Sequence, residues 1–195
     1  FHPLYDDLPV KPEKGLSREK LGIPVSAKNV VLFFGLIRPY KGLEVLLEAA
    51  NLLSEDTHLI IAGECYGSWS KYEKIINGSK AKSRIHVFNR FIPDEELGEF
   101  FVAADLVALP YLSASQSGVT ATAIQYDLPI VASNVGDLSN SITNGETGAL
   151  VEPGDSKALG EAIDVWFREE HPGLGEAYAH LKASKSWEEF ARQLL

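Results

Sequence analysis

Short apolar blocks alternate along the chain with segments of helical period. Residues 30–35 (VVLFFG) are β-branched and aromatic, apolar on both sides of the chain, and end at glycine. A strand with no polar side is one buried between two layers, as parallel strands usually are. Residues 58–63 (HLIIAG), 84–88, 106–110 (LVALP), 129–133 (PIVAS) and 149–151 predict five more strands. After the first strand, Leu43, Leu46, Leu47, Ala50 and Leu53 recur at helical spacing with Glu44, Glu48 and Asn51 opposite, which predicts a helix over 43–53. Further helices are expected over 69–80, 93–104, 117–126 and 156–168, and over 176–195 with a break around 184–186. Ser17 reads as the N-cap of a short helix ending at Gly22. Asp94, Glu95 and Glu96 follow Pro93 at a helix start, so they read as charges complementing the helix dipole rather than as an acid/base pair.

Strands separated by single helices, with no internal repeat, mean βαβ units. The predicted fold class is α/β: a Rossmann-like, doubly wound, mostly parallel six-stranded sheet of order 3-2-1-4-5-6, with helices on both faces. Residues 1–28 read as an extended lead-in with a short helix, 29–170 as the Rossmann-like domain and 171–195 as a helical tail. Trp166, Phe167 and Trp187 are expected to pack the terminal helices onto the core.

Composition narrows the function. With 195 residues, 45% apolar and 23% charged, the chain is globular in character. Its apolar stretches fall far short of the roughly 20 residues a bilayer span needs. The net charge of −9, from 18 Lys+Arg against 27 Asp+Glu, disfavours a nucleic-acid partner held by bulk charge. The single cysteine, Cys65, can build neither an internal disulfide nor a cysteine metal site, and it reads as a small buried thiol in a reducing compartment. His2, His58, His86, His171 and His180 are scattered without ligand spacing, so no metal site is expected. The first twelve residues lack the basic start and apolar core of a signal peptide, and a cytoplasmic location is expected. The chain also contains no methionine, as a segment cut from a longer protein, or a chain whose methionines have been lost, would.

In a sheet of this order ligands bind beyond the carboxyl ends of the strands at the switch point, between strands one and four. The loops there are residues 35–42 (GLIRPYKG) and 110–118 (PYLSASQSG), the most polar of the strand–helix junctions. The first puts Arg38 and Lys41 before a helix entered at Gly42. The second carries Ser113, Ser115, Gln116 and Ser117 before Gly118, again at a helix start, where free N–H groups favour an anion. Two cations and two helix starts facing one crevice suit a diphosphate. Asn134, Gly136 and Asp137, after strand five, either line that crevice or form a plain turn.

The segments GLIRPYKGL from Gly35, IIAGE from Ile60, ADLVALPY from Ala104, QSGV from Gln116, LPIVASNVG from Leu128 and NGETGALVEPGD from Asn144 resemble, in order and spacing, the C-terminal domain of retaining GT-B glycosyltransferases of the family 4, or group 1, type. The resemblance runs from about Val30 to Trp166, and the trailing Ser186-Trp-Glu-Glu is similar to the family's last helix.

That resemblance implies a donor-binding domain, with a separate N-terminal domain supplying most of the acceptor site. The chain alone is then expected to be inactive. It implies that Lys41 and, shifted from the family's usual position, Arg38 are the catalytic cations on the donor diphosphate. Gly35, Gly42, Ser115, Gln116, Ser117, Gly118 and Val119 would surround the phosphates. Gly63, Glu64, Arg90, Phe91 and Ile92 would receive the base, largely through the backbone. The family's two glutamates fall on Ala114 and Thr122, so Thr122 offers a shorter, neutral partner to the ribose. The donor would be a UDP-sugar or GDP-sugar and the acceptor a glycan or lipid-linked sugar in polysaccharide biosynthesis, with contact to the inner face of a membrane made through the full-length enzyme. Without an Asp-x-Asp motif, no metal and no other cofactor is expected. Two alternatives remain at this point. One is a non-catalytic nucleotide-binding or scaffold module, for which the missing glutamates speak. The other is an NAD-dependent oxidoreductase domain, against which the absence of Gly-x-Gly-x-x-Gly after strand one counts.

Overall fold

The computed structural model describes residue 4 and residues 11–187 and 191–192. Six strands, β1 (Asn29–Phe34), β2 (Thr57–Ala62), β3 (Ile85–Phe88), β4 (Leu106–Leu109), β5 (Ile130–Ser133) and β6 (Gly148–Val151), form one sheet in the order β3-β2-β1-β4-β5-β6. Every pairing is parallel, so the sheet is wholly rather than mostly parallel. The order reverses between β1 and β4, as expected.

Alternation along each strand builds two cores. Val30, Leu32, Ile60, Val107 and Ile130 face one side, and Val31, Phe33, Leu59, Ile61 and Val131 the other. The first face is covered by α4 (Asp94–Ala103), α5 (Gly118–Gln125) and α7 (Leu174–Ser184), through Phe100, Phe101, Ile124 and Tyr178. The second is covered by α2 (Leu43–Ala49), α3 (Ser70–Gly78) and α6 (Ser156–Arg168), through Leu46, Leu47, Tyr72, Ile163 and Trp166. No helix among the described residues is long and apolar enough to cross a membrane.

Several expectations need correction. α1 (Lys14–Lys20) starts three residues before Ser17; its cap is Glu13, whose carboxylate accepts from the Gly15 and Leu16 N–H groups. Ser17 is instead buried inside the helix and donates to Glu99 at 2.8 Å. A carboxylate at the cap meets the helix dipole with a full charge, which outweighs the hydroxyl one turn later. α2 stops at Ala49, because the chain must turn through 50–54 to enter β2, although Leu53 stays buried. Trp166 is buried and Phe167 packs against the core, but Trp187 lies beyond the end of α7 and is 51% exposed. The end of the closing helix, at 188–190 and 193–195, lies outside the described residues. The histidines are less scattered than their numbering suggests: β2 and β3 bring His58 Nδ1 to 3.0 Å from His86 Nε2, with the rings stacked.

The tail is bolted to the sheet by one buried hydroxyl. Tyr178 Oη donates to the carbonyls of Leu128 at 2.6 Å and Thr147 at 3.1 Å, at the entries of β5 and β6. Tyr178→Phe leaves both carbonyls without this donor and is expected to cost about 1–2 kcal/mol. A lowered urea midpoint at unchanged slope is the readout.

Candidate functional site

The loops leaving the carboxyl ends of the strands are laced into one rim. The Ile37 N–H donates to the Glu64 carbonyl at 2.8 Å and the Tyr66 N–H to the Ile37 carbonyl at 3.0 Å, joining the loops after β1 and β2. The Leu112 N–H donates to the Tyr40 carbonyl at 2.7 Å, which ties in the loop after β4. The Asp137 N–H reaches the Ser115 carbonyl at 3.2 Å and adds the loop after β5. Residues 134–137 therefore brace the second loop. Where the loops pass closest only glycine fits: a Cβ on Gly42 (φ +66°) would stand 1.9 Å from the Pro110 carbonyl oxygen, and one on Gly63 (φ +144°) 2.1 Å from that of Gly35.

Lys41 lies at the centre of this rim. It closes a 3-10 turn, Pro39–Lys41, and is only 8% exposed. Its Nζ lies over the Tyr111 ring, 5.4 Å from the centroid, and 3.1 Å from where a Gly35 Cβ would be. Val119, in the first turn of α5, is 3.5 Å from the same point. The Tyr111 hydroxyl lies 3.3 Å from that of Ser117, the N-cap of α5. One buried ring thus has Lys41 above it and Ser117 at its tip, and the two loops meet. The amides of Gly118 and Val119 stand in a first helical turn, where N–H groups lack intrahelical acceptors.

Among the described residues no carboxylate lies within 4.0 Å of Lys41 or Arg38; the same holds for exposed lysines such as Lys74, Lys80 and Lys82, but Lys41 is buried as well. Burial first, and the nearby Arg38 second, lower the Lys41 ammonium from 10.5 to about 8. A buried cation facing another cation is costly by itself and favourable beside an anion. Burial likewise pushes the Tyr111 phenol up to about 12, so it stays a neutral hydroxyl. Arg38 is exposed, its guanidinium 4.7 Å from the centroid of the Tyr66 ring.

Beside these cations, Gly35, Gly63, Glu64, Phe91 and Ile92 line a cavity of about 330 Å³ together with Phe34 and Leu36. Arg90 is not among the lining residues: its guanidinium pairs with Glu96 and donates to the Phe91 carbonyl at 3.1 Å. Ser115, Gln116 and Gly118 are exposed on the rim. Thr122 is buried one turn into α5, its hydroxyl donating to the Gly118 carbonyl at 3.1 Å. Cys65, half-buried, is held through its N–H by Asn89 at 2.9 Å, and burial pushes its thiol up. Two residues not singled out from sequence, Tyr111 and Tyr66, seat the two cations. Tyr111 was legible as an aromatic at the tip of a buried strand; nothing in the sequence marks Tyr66. A larger cavity, of about 650 Å³, opens at the opposite end of the sheet, between the starts of β1 and β5 and the end of α6. Its lysines are already paired, Lys11 with Asp127 and Lys14 with Asp105, and it lies away from the strand tips where the loops converge.

Residues 28–168 match the family described as Glycosyl transferases group 1. Over 189 residues the chain is 33% identical to a D-inositol 3-phosphate glycosyltransferase of Corynebacterium urealyticum, covering 92% of this chain and 44% of that protein. It therefore spans less than half the length of the curated relatives it matches. Among solved structures, a sucrose-phosphate synthase from Thermosynechococcus elongatus superposes with a TM-score of 0.77 at 26% identity, over 96% of this chain and 47% of that one. Anabaena Alr3699/HepE in complex with UDP superposes with a TM-score of 0.81 over 91% of this chain and 50% of that one; at 22% identity this is a likeness of fold.

Proposed function

The chain belongs to the Glycosyl transferases group 1 family, and from that premise we propose that it is the donor-binding half of a retaining, metal-independent glycosyltransferase. Its partner on this reading is a UDP-sugar or GDP-sugar, and a separate N-terminal domain brings a glycan or lipid-linked acceptor. The supporting observation is the buried ammonium of Lys41, beside Arg38 and without a carboxylate within ion-pairing distance among the described residues.

The chemistry follows from that arrangement. As the glycosidic bond to the diphosphate breaks, negative charge gathers on the leaving group while the sugar becomes oxocarbenium-like. Lys41, Arg38 and the first-turn amides of α5 offer fixed positive charge where that negative charge develops, so little reorganisation is needed. Lys41 is rigid because it is buried, and Ser117 is held by Tyr111. The cavity walled by Gly35, Gly63, Phe91 and Ile92 adjoins the diphosphate position and is open enough for the base.

Calorimetric titration with UDP, GDP, ADP and NAD tests the reading. UDP or GDP is expected to bind, and its affinity to change by no more than about twofold between EDTA and excess Mg²⁺, because protein cations take the metal's place. Binding that requires the metal, or that is confined to NAD, overturns it.

A further inference from the structure

We infer that Tyr66 is a positioning residue for Arg38: its ring holds the guanidinium beside Lys41, so that the second cation is in place before a diphosphate arrives. The inference rests on the reading of Arg38 and Lys41 as diphosphate ligands and adds a residue to it.

Arg38 needs such a seat. Its side chain is long and exposed, it makes no ion pair among the described residues, and its charge repels that of Lys41. Left to itself such a group swings into solvent, and ordering it would then count against binding. Tyr66 has the opposite character. The residue is 70% exposed, so burial does not account for where it stands, yet its backbone is tied by a hydrogen bond. The Tyr66 N–H donates to the carbonyl of Ile37, and Ile37 and Cys65 form a parallel bridge outside the sheet. Ile37 itself is fully buried and directly precedes Arg38. The two side chains therefore rise from neighbouring points of one rigid stitch, and the guanidinium carbon comes to 4.7 Å from the ring centroid. A cation on an exposed aromatic face is held weakly but in a defined place.

The test is a double-mutant cycle on the full-length protein, read by calorimetric titration with UDP and GDP. Tyr66→Ala is expected to weaken binding about three- to fivefold, while Tyr66→Phe, which keeps the ring, stays within about twofold of the parent. In the Arg38→Ala background, Tyr66→Ala is expected to add nothing. Both residues are exposed, so loss of folding does not confuse the result. If Tyr66→Ala is silent, or weakens binding equally with and without Arg38, the inference fails; in the second case the ring touches the ligand itself. If Arg38→Ala alone leaves affinity unchanged, the assignment of Arg38 to the diphosphate fails first and takes this one with it.

Discussion

Lys41→Met is expected to weaken UDP or GDP binding by about thirtyfold or more, since removing one partner of a buried charge pair costs about 2–5 kcal/mol. The same substitution should make the unliganded protein more stable. Burial lowers this ammonium to about 8, which means that the folded state holds the charge at a penalty. A shift of that size corresponds to roughly 3 kcal/mol at neutral pH, of which methionine, keeping the apolar stem, recovers a part. Lower affinity with a higher melting temperature is the signature of a group retained for its ligand. A residue holding the fold together gives the reverse: its loss lowers the melting temperature, and binding falls because the rim loosens. Calorimetry and thermal denaturation on the same preparation separate the two. Unchanged affinity removes Lys41 from the site.

The legible part of this fold was the part governed by period. Strands β1, β2 and β4 were clear because they are apolar on both faces, and a sheet so buried leaves few alternatives to a doubly wound arrangement. Taken with the common doubly wound order, which the sheet adopts, they put the switch point between β1 and β4 and so bring the loops of Lys41 and Ser117 to one crevice. Competition between neighbouring signals was not legible. Ser17 has the residue type of a helix cap and Glu13 does not, yet the Glu13 carboxylate caps α1 while Ser17 is buried against Glu99. His58 and His86 are 28 positions apart and meet because β2 and β3 are adjacent in the sheet. The same limit hid the character of the site. Sequence shows that Arg38 and Lys41 are cations in a loop, as many solvated pairs are. It does not show that one is buried over Tyr111 while the other lies exposed on Tyr66.

If Lys41 holds the diphosphate as proposed, its ammonium at about 8 also links donor binding to pH. Between about 8 and the unfolded value of 10.5, the unfolded chain holds more protons at Lys41 than the folded one. Stability in the absence of ligand should therefore rise with pH across that window, and Lys41 should contribute no slope below it. Binding runs the other way. A diphosphate raises the ammonium again, so above pH 8 each binding event takes up a proton, and affinity falls by at most about tenfold per pH unit. The diphosphate adds nothing there, because a terminal phosphate with a second pKa of about 6 is already fully ionised, and the weakly acidic ring N–H of uracil or guanine contributes alike in the parent and in a Lys41 variant. The first-turn amides of α5 carry no charge that titrates, which leaves weakened rather than abolished binding at high pH. Proton uptake is measured by repeating the titration in buffers of different ionisation enthalpy at pH 7 and 9. The control is Lys41→Met, because Lys185 borders Gln116 and Ser117 and is also lowered by burial, with Asp137 opposing the shift. Greater uptake at pH 9 in the parent than in the variant assigns the difference to Lys41. Equal uptake in both takes the proton away from Lys41, and the buried lysine at the rim is then no ligand of the diphosphate.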